Sequence, residues 1–170
     1  EIWNEPNMSD EWSRSPDPAE YANFLVDVTA AIRSLKDPRV IILNGGLAPL
    51  DKMFAAVPES VHAFDVLSSH PYPQNTPPEI NLHDPAHQDT HEAIDGYRRE
   101  FDVIARHGRK EPVPVMLTET GYDLGNRKFP EYPMIDEELR ADYMFRAFRD
   151  YWLKWSEIRA VLPFEFCSGG

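Results

Sequence analysis

Short apolar runs alternate along the chain with longer stretches in which apolar residues recur at every third or fourth position. The first such stretch covers residues 18–35. It follows Asp17-Pro18, a pair typical of a helix start, so we predict a helix there. Residues 40–43, Val-Ile-Ile-Leu, form an unbroken apolar run, which predicts a strand buried on both faces of a parallel sheet.

The same alternation continues to the end of the chain. Residues 1–4 have the pattern of the end of a strand, and the Pro-containing polar stretches 73–90 and 121–135 are predicted to be loops. Further strands are predicted over 63–69, 113–118 and 159–166, and helices over 51–62, 90–107 and 136–155. Strands that alternate with helices predict a parallel sheet with right-handed crossovers. A doubly wound sheet and a (β/α)₈ barrel both fit this order.

Polar residues recur where the predicted strands end, and this favours the barrel. These residues are Glu5, Asn44, His70, Glu119 and Glu165. In a barrel the carboxyl ends of the strands surround one site. A doubly wound dinucleotide-binding sheet requires Gly-x-Gly-x-x-Gly after its first strand, and residues 44–47, Asn-Gly-Gly-Leu, do not supply it. We therefore predict an α/β fold of the (β/α)₈, or TIM-barrel, type.

Composition narrows the range of partners. The 170 residues carry a net charge of −12, which disfavours nucleic acid and anionic membranes but is compatible with neutral carbohydrate. An acidic surface also confers solubility by itself. No apolar run reaches the ~18–20 residues that a membrane span requires. The single cysteine, Cys167, excludes an internal disulfide.

Glu5 and Glu119 are the candidate chemical groups. Each is predicted to lie at the end of a short apolar strand. Two carboxylates at one site are the minimum equipment for cleaving a glycosidic bond, because one protonates the leaving oxygen and the other attacks the sugar or activates water. The structural alternative for each residue is a solvated carboxylate at a strand end.

Three segments resemble motifs of the clan A glycoside hydrolases, which are retaining (β/α)₈ enzymes, and the segments occur in the family's order. Residues 3–6, Trp-Asn-Glu-Pro, resemble the fourth-strand motif. Residues 69–72, Ser-His-Pro-Tyr, resemble the sixth-strand motif, and residues 118–122, Thr-Glu-Thr-Gly-Tyr, the seventh. Within the clan, the stretches 44–49 and 64–72 are most similar to family 39-like and family 5-like enzymes.

The resemblance implies a partial barrel that runs from the end of strand 4 to strand 8. All of residues 1–170 would then form an incomplete catalytic domain whose N-terminal half-barrel is missing. The roles that it implies are general acid/base for Glu5, nucleophile for Glu119, contact with the sugar 2-hydroxyl for Asn4, and support of the nucleophile for His70 and Tyr72. Neither a cofactor nor a metal is expected.

Trp12, in the loop after the first motif, is a candidate to stack on a sugar ring, whereas Trp3 is expected to pack inside the barrel. Two other positions have two interpretations each. Asn44 faces substrate or forms the turn before Gly-Gly. Glu165 points into the predicted barrel mouth or out of it.

The implied function is retaining hydrolysis of O-glycosidic bonds in a polysaccharide, oligosaccharide or glycoside. The alternative is a non-catalytic carbohydrate-binding relative. A third interpretation, a metal-dependent hydrolase, rests on the helical spacing of His83, His87 and His91, which Pro85 interrupts. The sequence identifies neither the sugar nor the compartment, with a slight preference for a secreted or extracytoplasmic one.

Overall fold

The structure, a computed structural model, describes residues 1–12, 14–79, 93–124 and 133–164. The chain divides into two compact units. Unit 1 comprises Glu1–Ser69 and Arg98–Met116, and unit 2 comprises His70–Tyr97 and Leu117–Gly170. Glu165, His83, His87 and His91, and with them the predictions made for these residues, lie outside the described residues.

Unit 1 contains four α-helices, α1 to α4, among its described residues: Ser9–Trp12, Pro18–Ser34, Leu50–Ala56 and Arg98–Arg106. A 3₁₀ turn, Pro58–His62, follows α3. The start of α2 is as predicted, because the Asp17 carboxylate accepts hydrogen bonds from the backbone N–H groups of Ala19 and Glu20 at 2.9 and 3.2 Å. Helix α3 packs against both α2 and α4.

The strand predicted over residues 40–43 is wrong. None of these described residues lies in a strand. Leu43 forms an isolated parallel bridge to Val66, and the carbonyl of Ile42 accepts from the N–H groups of Asp65 and Val66 at 2.7 and 3.2 Å. Val40 and Ile41 are 38% and 55% exposed. The described residues 1–4 form no strand either, although the N–H of Ile2 donates to the carbonyl of Leu43 at 2.9 Å. Only the second half of the run is therefore buried and bonded to neighbouring segments, and these bonds are too few to make a regular strand.

Three strands form a small parallel sheet, so the chain is α/β as predicted. They are β1 (Leu67–Ser69), β2 (Val115–Thr120) and β3 (Ile158–Pro163), in the order β1-β2-β3. In unit 1 the N–H of Leu67 donates to the carbonyl of Pro114 at 2.9 Å, and in unit 2 the N–H of Phe164 donates to the carbonyl of Thr120 at 2.8 Å. Closure into a barrel stays a prediction.

Unit 2 holds the last helix, α5 (Glu137–Arg146), which is capped by the Asp136 carboxylate. The predicted helix over 136–155 does not continue as one element, because a π-helical turn and a 3₁₀ turn replace its second half. The indole N–H of the buried Trp152 donates to the carbonyl of Ile94 at 3.0 Å, which ties the end of this helical region to another segment of unit 2. Across the described ranges, no helix combines the length and the apolar character needed to cross a bilayer.

Candidate active site

Glu119 lies on β2, in unit 2, with an oriented hydrogen-bond donor at its carboxylate. The hydroxyl of Tyr72 donates to Oε2 of Glu119 at 2.7 Å. The Glu119 side chain is 24% exposed, so it is supported by protein on one side and accessible on another. Tyr72 itself is half-buried. A short hydrogen bond of this kind fixes the orientation of a carboxylate.

His70 lies beside the same carboxylate. Its side chain has no exposed surface, and its Nδ1 lies 3.9 Å from Oε2 of Glu119. On the other side of the ring, Nε2 lies 3.0 Å from Oγ1 of Thr118. When the Thr118 hydroxyl donates to Nε2, the neutral ring carries its hydrogen at Nδ1, on the side of Glu119. The predicted grouping of His70, Tyr72 and Glu119 is therefore present in unit 2.

The backbone on either side of Glu119 is held by close contacts. The Thr120 hydroxyl, which is fully buried, donates to the carbonyl of Pro71 at 2.6 Å. A Cβ at Gly121 would lie 2.5 Å from the carbonyl oxygen of Phe164, so only glycine fits there without a shift of the backbone. These contacts fix the main chain to which the Glu119 side chain is attached.

Tyr122 follows this segment and is 5% exposed. Its ring packs edge to face against Tyr143 at a centroid distance of 5.4 Å. Among the described residues its hydroxyl has no hydrogen-bond partner, and burial raises the pKa of Tyr122 well above its usual range. Tyr122 is therefore an uncharged packing residue of unit 2.

Glu5 lies in unit 1, on a backbone that L-residues seldom adopt. Its φ is +35°, and that of Trp3 is +67°. Left-handed conformations of residues other than glycine cost about 1–3 kcal/mol each and concentrate at functional sites. Glu5 is half-buried, and its carbonyl accepts a hydrogen bond from the N–H of Met8 at 2.9 Å. Two such residues within three positions mark residues 3–5 as a segment held in place by its surroundings.

Tyr21 and Gly45 supply that support in unit 1. The Tyr21 hydroxyl donates to the carbonyl of Ile2 at 2.8 Å and accepts from the N–H of Gly45 at 2.5 Å. A Cβ at Gly45 would lie 3.0 Å from Pro6 Cδ and 3.0 Å from the Trp3 carbonyl oxygen, which is tighter than side chains normally pack. Burial raises the pKa of Tyr21 above its usual range, so the bridging hydroxyl stays neutral.

Trp3 is 45% exposed, so the interior position expected for it is wrong. Its ring packs edge to face against Trp12 and Phe24, at centroid distances of 5.4 and 5.9 Å. The Trp12 indole N–H donates to Glu20 Oε2 at 3.3 Å, so part of the Trp12 side chain is used in contacts within unit 1. Its stacking on a sugar ring stays a prediction, as does the contact of half-buried Asn4 with a sugar hydroxyl.

Asn44 is 1% exposed and its amide is used inside unit 1. Nδ2 donates to the carbonyl of Gly45 at 2.8 Å, and Oδ1 accepts from the N–H of Ser68 at 3.0 Å. Oε1 of Glu1 accepts from both the Gly46 N–H, at 2.9 Å, and the Ser68 hydroxyl, at 2.8 Å. These bonds favour the turn-forming interpretation of Asn44 over contact with substrate.

The structure thus groups the predicted site residues by unit. His70, Tyr72 and Glu119 belong to unit 2, and Asn4, Glu5, Trp12 and Asn44 to unit 1. The cooperation of Glu5 with Glu119 stays a prediction. The supporting roles of Tyr21 and Gly45 were not predicted, because in the sequence Tyr21 is one apolar position of a helix stripe and its two partners lie 19 and 24 residues away.

Comparison with known proteins yields similarities among solved structures. No family model matches the chain, and no curated protein matches it. The chain is similar to a β-glucuronidase from Ruminococcus gnavus in complex with D-glucuronic acid, with 21% identity, a TM-score of 0.47, and coverage of 96% of this chain and 24% of that one. It is also similar to Faecalibacterium prausnitzii β-glucuronidase, with 15% identity, a TM-score of 0.40, and coverage of 92% and 29%.

The chain therefore spans about a quarter of the length of these solved structures. Because the TM-scores lie below 0.5, the function proposed below rests on the residues of the chain itself.

Proposed function

We propose that this chain carries the catalytic carboxylates of a retaining glycoside hydrolase, with Glu119 as the nucleophile and Glu5 as the general acid/base. The observation that carries the proposal is the arrangement at Glu119. An accessible carboxylate on a strand accepts a 2.7 Å hydrogen bond from Tyr72 and has the buried His70 ring 3.9 Å away. Its sequence context, Thr-Glu-Thr-Gly-Tyr, is the one that resembles the nucleophile motif.

The nucleophile of a double displacement must be ionised and aimed at the anomeric carbon. Tyr72 donates to one oxygen of the Glu119 carboxylate, and the 24% exposure of the side chain leaves it open to an incoming sugar. The bond between the anomeric carbon and the leaving oxygen breaks as Glu119 attacks, and the leaving oxygen takes a proton from Glu5. Water, deprotonated by Glu5, then releases the sugar and regenerates Glu119.

The assignment of Glu5 rests on its motif and on its backbone. Residues 3–6, Trp-Asn-Glu-Pro, resemble the acid/base motif, and Trp3 and Glu5 both have positive φ values. Strain of this kind persists only where surrounding contacts over-determine the conformation. Tyr21 and Gly45 make such contacts with the main chain next to Glu5.

The decisive experiment replaces each carboxylate by glycine in the full-length protein and adds azide. Turnover is first measured on a panel of aryl β-glycosides and oligosaccharides. In Glu119→Gly, azide enters the vacated space and attacks the anomeric carbon directly, so the rescued product is an α-glycosyl azide. In Glu5→Gly, azide attacks the glycosyl-enzyme from the opposite face, so the product is a β-glycosyl azide. Anomeric configuration, read by NMR, therefore identifies each role.

A surface variant, Lys52→Gln, serves as the matched control and should keep parental turnover, because Lys52 is an exposed residue of α3. Near-normal turnover by Glu119→Gly without azide contradicts the nucleophile assignment. Folded parental protein that turns over no member of the panel contradicts the enzymatic proposal as a whole.

An aromatic cluster formed by exposed Trp3 and Phe24 with half-buried Trp12 favours a second candidate, a non-catalytic carbohydrate-binding relative. Aromatic faces bind sugar rings without chemistry. Binding of an oligosaccharide by the full-length protein, with no hydrolysis after prolonged incubation, supports this candidate over the enzyme.

We also propose that the chain is one half of a (β/α)₈ barrel, completed by an N-terminal half-barrel of the same protein. Strand β3 is at the edge of the described sheet, and Leu162 and Phe164 are 48% and 55% exposed. An uncovered parallel edge with apolar side chains favours association. The isolated 170-residue chain is therefore expected to self-associate in size-exclusion chromatography. A monodisperse, cooperatively melting monomer contradicts this.

A further inference from the structure

A tight turn follows the segment that carries His70 and Tyr72. The N–H of Thr76 donates to the carbonyl of Pro73 at 2.9 Å, and its hydroxyl donates to the same carbonyl at 2.6 Å. Both central residues are left-handed, Gln74 with a φ of +49° and Asn75 with a φ of +57°. Asn adopts this conformation more readily than other residues with a Cβ, because its short amide bonds locally.

The Asn75 side chain bonds to a different part of the chain. Asn75 is 2% exposed, and its Nδ2 donates to the carbonyls of Asp123 and Pro133 at 2.9 and 3.0 Å. Its Oδ1 accepts from the N–H of Asp123 at 2.8 Å. Both amide hydrogens and the carbonyl oxygen are thus used on backbone groups 48 and 58 residues away in sequence.

Within unit 2, a series of contacts joins residues 70–75 to residues 118–123, and the bonds between Asn75 and Asp123 lie at one end of this series. From the inside outward, the pairs are His70 with Thr118, Pro71 with Thr120, Tyr72 with Glu119, and Asn75 with Asp123. The segment 70–75 is therefore fixed against 118–123 at both ends, with Tyr72 and Glu119 between the fixed points. Two residues lie between Tyr72 and Asn75 on one segment, and three lie between Glu119 and Asp123 on the other.

We propose that Asn75 is a positioning residue, which sets the distance between the Tyr72 hydroxyl and the Glu119 carboxylate by fixing the turn at 73–76 to the backbone at Asp123 and Pro133. The catalytic part of this inference rests on the proposed role of Glu119 as nucleophile. Loss of the amide lets the turn move away from Asp123, and the Tyr72–Glu119 bond lengthens with it. A misplaced supporting group lowers the rate of the chemical step more than it weakens substrate binding.

The test uses variants of the full-length protein that separate the side chain from the backbone. Asn75→Gly keeps a residue that accepts positive φ and removes the amide. Asn75→Asp is nearly isosteric, but it places a carboxylate against the carbonyls of Asp123 and Pro133. Gln74→Gly is the matched control, because it changes the neighbouring left-handed residue of the same turn and leaves the Asn75 bonds in place.

With the aryl glycoside that the parent turns over best, Asn75→Gly and Asn75→Asp are expected to lower kcat roughly 10- to 100-fold with KM nearly unchanged. Gln74→Gly is expected to retain parental kcat. In a Tyr72→Phe background the same Asn75→Gly change should lower kcat by no more than about twofold, because the bond that it positions is already absent. Additive losses in the two backgrounds, or an unchanged kcat in Asn75→Gly, overturn the proposal.

A crystal structure of Asn75→Gly tests the positioning without any assay. The distance from the Tyr72 hydroxyl to Glu119 Oε2, 2.7 Å in the parent, is expected to exceed hydrogen-bonding range. An unchanged distance overturns the inference whatever the activity. Glu119→Gln is measured in parallel: parental turnover in that variant refutes the proposed nucleophile, while a lengthened Tyr72–Glu119 distance in Asn75→Gly still supports the positioning by Asn75.

Discussion

Glu5 and Glu119 are supported in different ways: contacts in unit 1 hold the main chain around Glu5, whereas contacts in unit 2 hold both the main chain next to Glu119 and its carboxylate. In unit 1 the Tyr21 hydroxyl and Gly45 fix the backbone around Glu5, whose φ is +35°. In unit 2 Glu119 lies on a regular strand, and Tyr72 contacts the carboxylate itself. The contrast fits the two proposed roles. A nucleophile needs one fixed orientation of an ionised group, whereas an acid/base must release and regain a proton at one place.

The largest expected effect is the loss of kcat/KM when either carboxylate is replaced. How that loss depends on the leaving group of the substrate should distinguish the roles of Glu119 and Glu5. Glu119→Gln should lower kcat/KM about 10⁴-fold or more for every aryl glycoside, because the covalent step is lost. Glu5→Gln should lower it about 10²–10⁴-fold for poor leaving groups, and much less for dinitrophenyl glycosides, which leave without protonation. Steady-state kinetics across a series of phenols measures both. The same dependence on leaving group in the two variants contradicts the assigned division of roles.

The next largest effect is on the free energy of unfolding when either of two closely packed glycines is replaced by alanine. In Gly121→Ala the new Cβ meets a backbone oxygen at 2.5 Å, whereas in Gly45→Ala the neighbours lie at 3.0–3.1 Å. We expect Gly121→Ala to lower the free energy of unfolding by about 3 kcal/mol and Gly45→Ala by about 1–2 kcal/mol. Urea denaturation measures both. Gly108→Ala is the control, since it has open space and only a left-handed φ of +99° to oppose it. Equal losses in Gly121→Ala and Gly45→Ala contradict the comparison.

Tyr72→Phe tests the support that acts on the Glu119 side chain. A hydrogen bond to a charged group contributes about 1.5–3 kcal/mol, so its loss should lower kcat roughly 10- to 100-fold. Because Tyr72 is half-buried and its ring remains, the thermal midpoint should change little. Kinetics and differential scanning calorimetry measure the two effects. A large drop in Tm with unchanged kcat per folded molecule shows instead that the hydroxyl serves only stability.

Tyr21→Phe tests the support that acts on the main chain of unit 1. Loss of the Tyr21 hydroxyl leaves the Ile2 carbonyl and the Gly45 N–H without this partner. The free energy of unfolding should therefore fall by about 1–3 kcal/mol at neutral pH.

The raised pKa of Tyr21 also predicts how the stability of the parent changes at alkaline pH. Burial raises the pKa of Tyr21 in the folded state above the unfolded value of about 10, so the folded state holds its proton more tightly. This stability is present below pH ~10 and falls as pH rises above that value. The parent should therefore lose stability above pH 10 more steeply than Tyr21→Phe does. Parallel pH profiles from urea denaturation contradict this.

The smallest effect comes from a surface cluster of three residues in unit 1, Asp51 with Arg106 and His107. His107, at 2.9 Å, and then Arg106, at 3.3 Å, lower the pKa of Asp51. This stabilisation is present above the unfolded pKa of about 4 and is lost as pH falls through the lower folded value. Asp51→Asn should therefore be slightly less stable than the parent at pH 6 and equal to it near pH 3, with unchanged kcat. A stability difference that grows toward acid pH contradicts the sign.

Local signals allowed correct prediction where both partners lie close together in sequence. Asp17 caps α2 through N–H groups two and three residues ahead, so the Asp-Pro pair was sufficient to locate the helix start. The run over residues 40–43 gave the opposite result. Its apolar character is compatible with a buried strand, but pairing depends on segments elsewhere in the chain, and only Leu43 has a bridge.

For the candidate site, the motifs predicted the carboxylates and two residues that support Glu119, but not the long-range contacts of Tyr21, Gly45 and Asn75. Three motifs identified Glu5, Glu119, His70 and Tyr72, and the structure joins the last three within unit 2. Asn75 reads in the sequence as an ordinary turn residue, because Asp123 and Pro133 lie 48 and 58 residues away. Long-range hydrogen bonds of this kind leave no local pattern to find.

The left-handed backbone at Glu5 places two engineering goals in conflict at one position. A redesign that scores each residue by its fit to the backbone prefers Gly or Asn there. Such a substitution relieves the conformational cost, and on the proposed mechanism it also removes the acid/base. Stabilised variants of this protein should therefore be selected with residue 5 held fixed, because a gain in melting temperature at that position indicates loss of function.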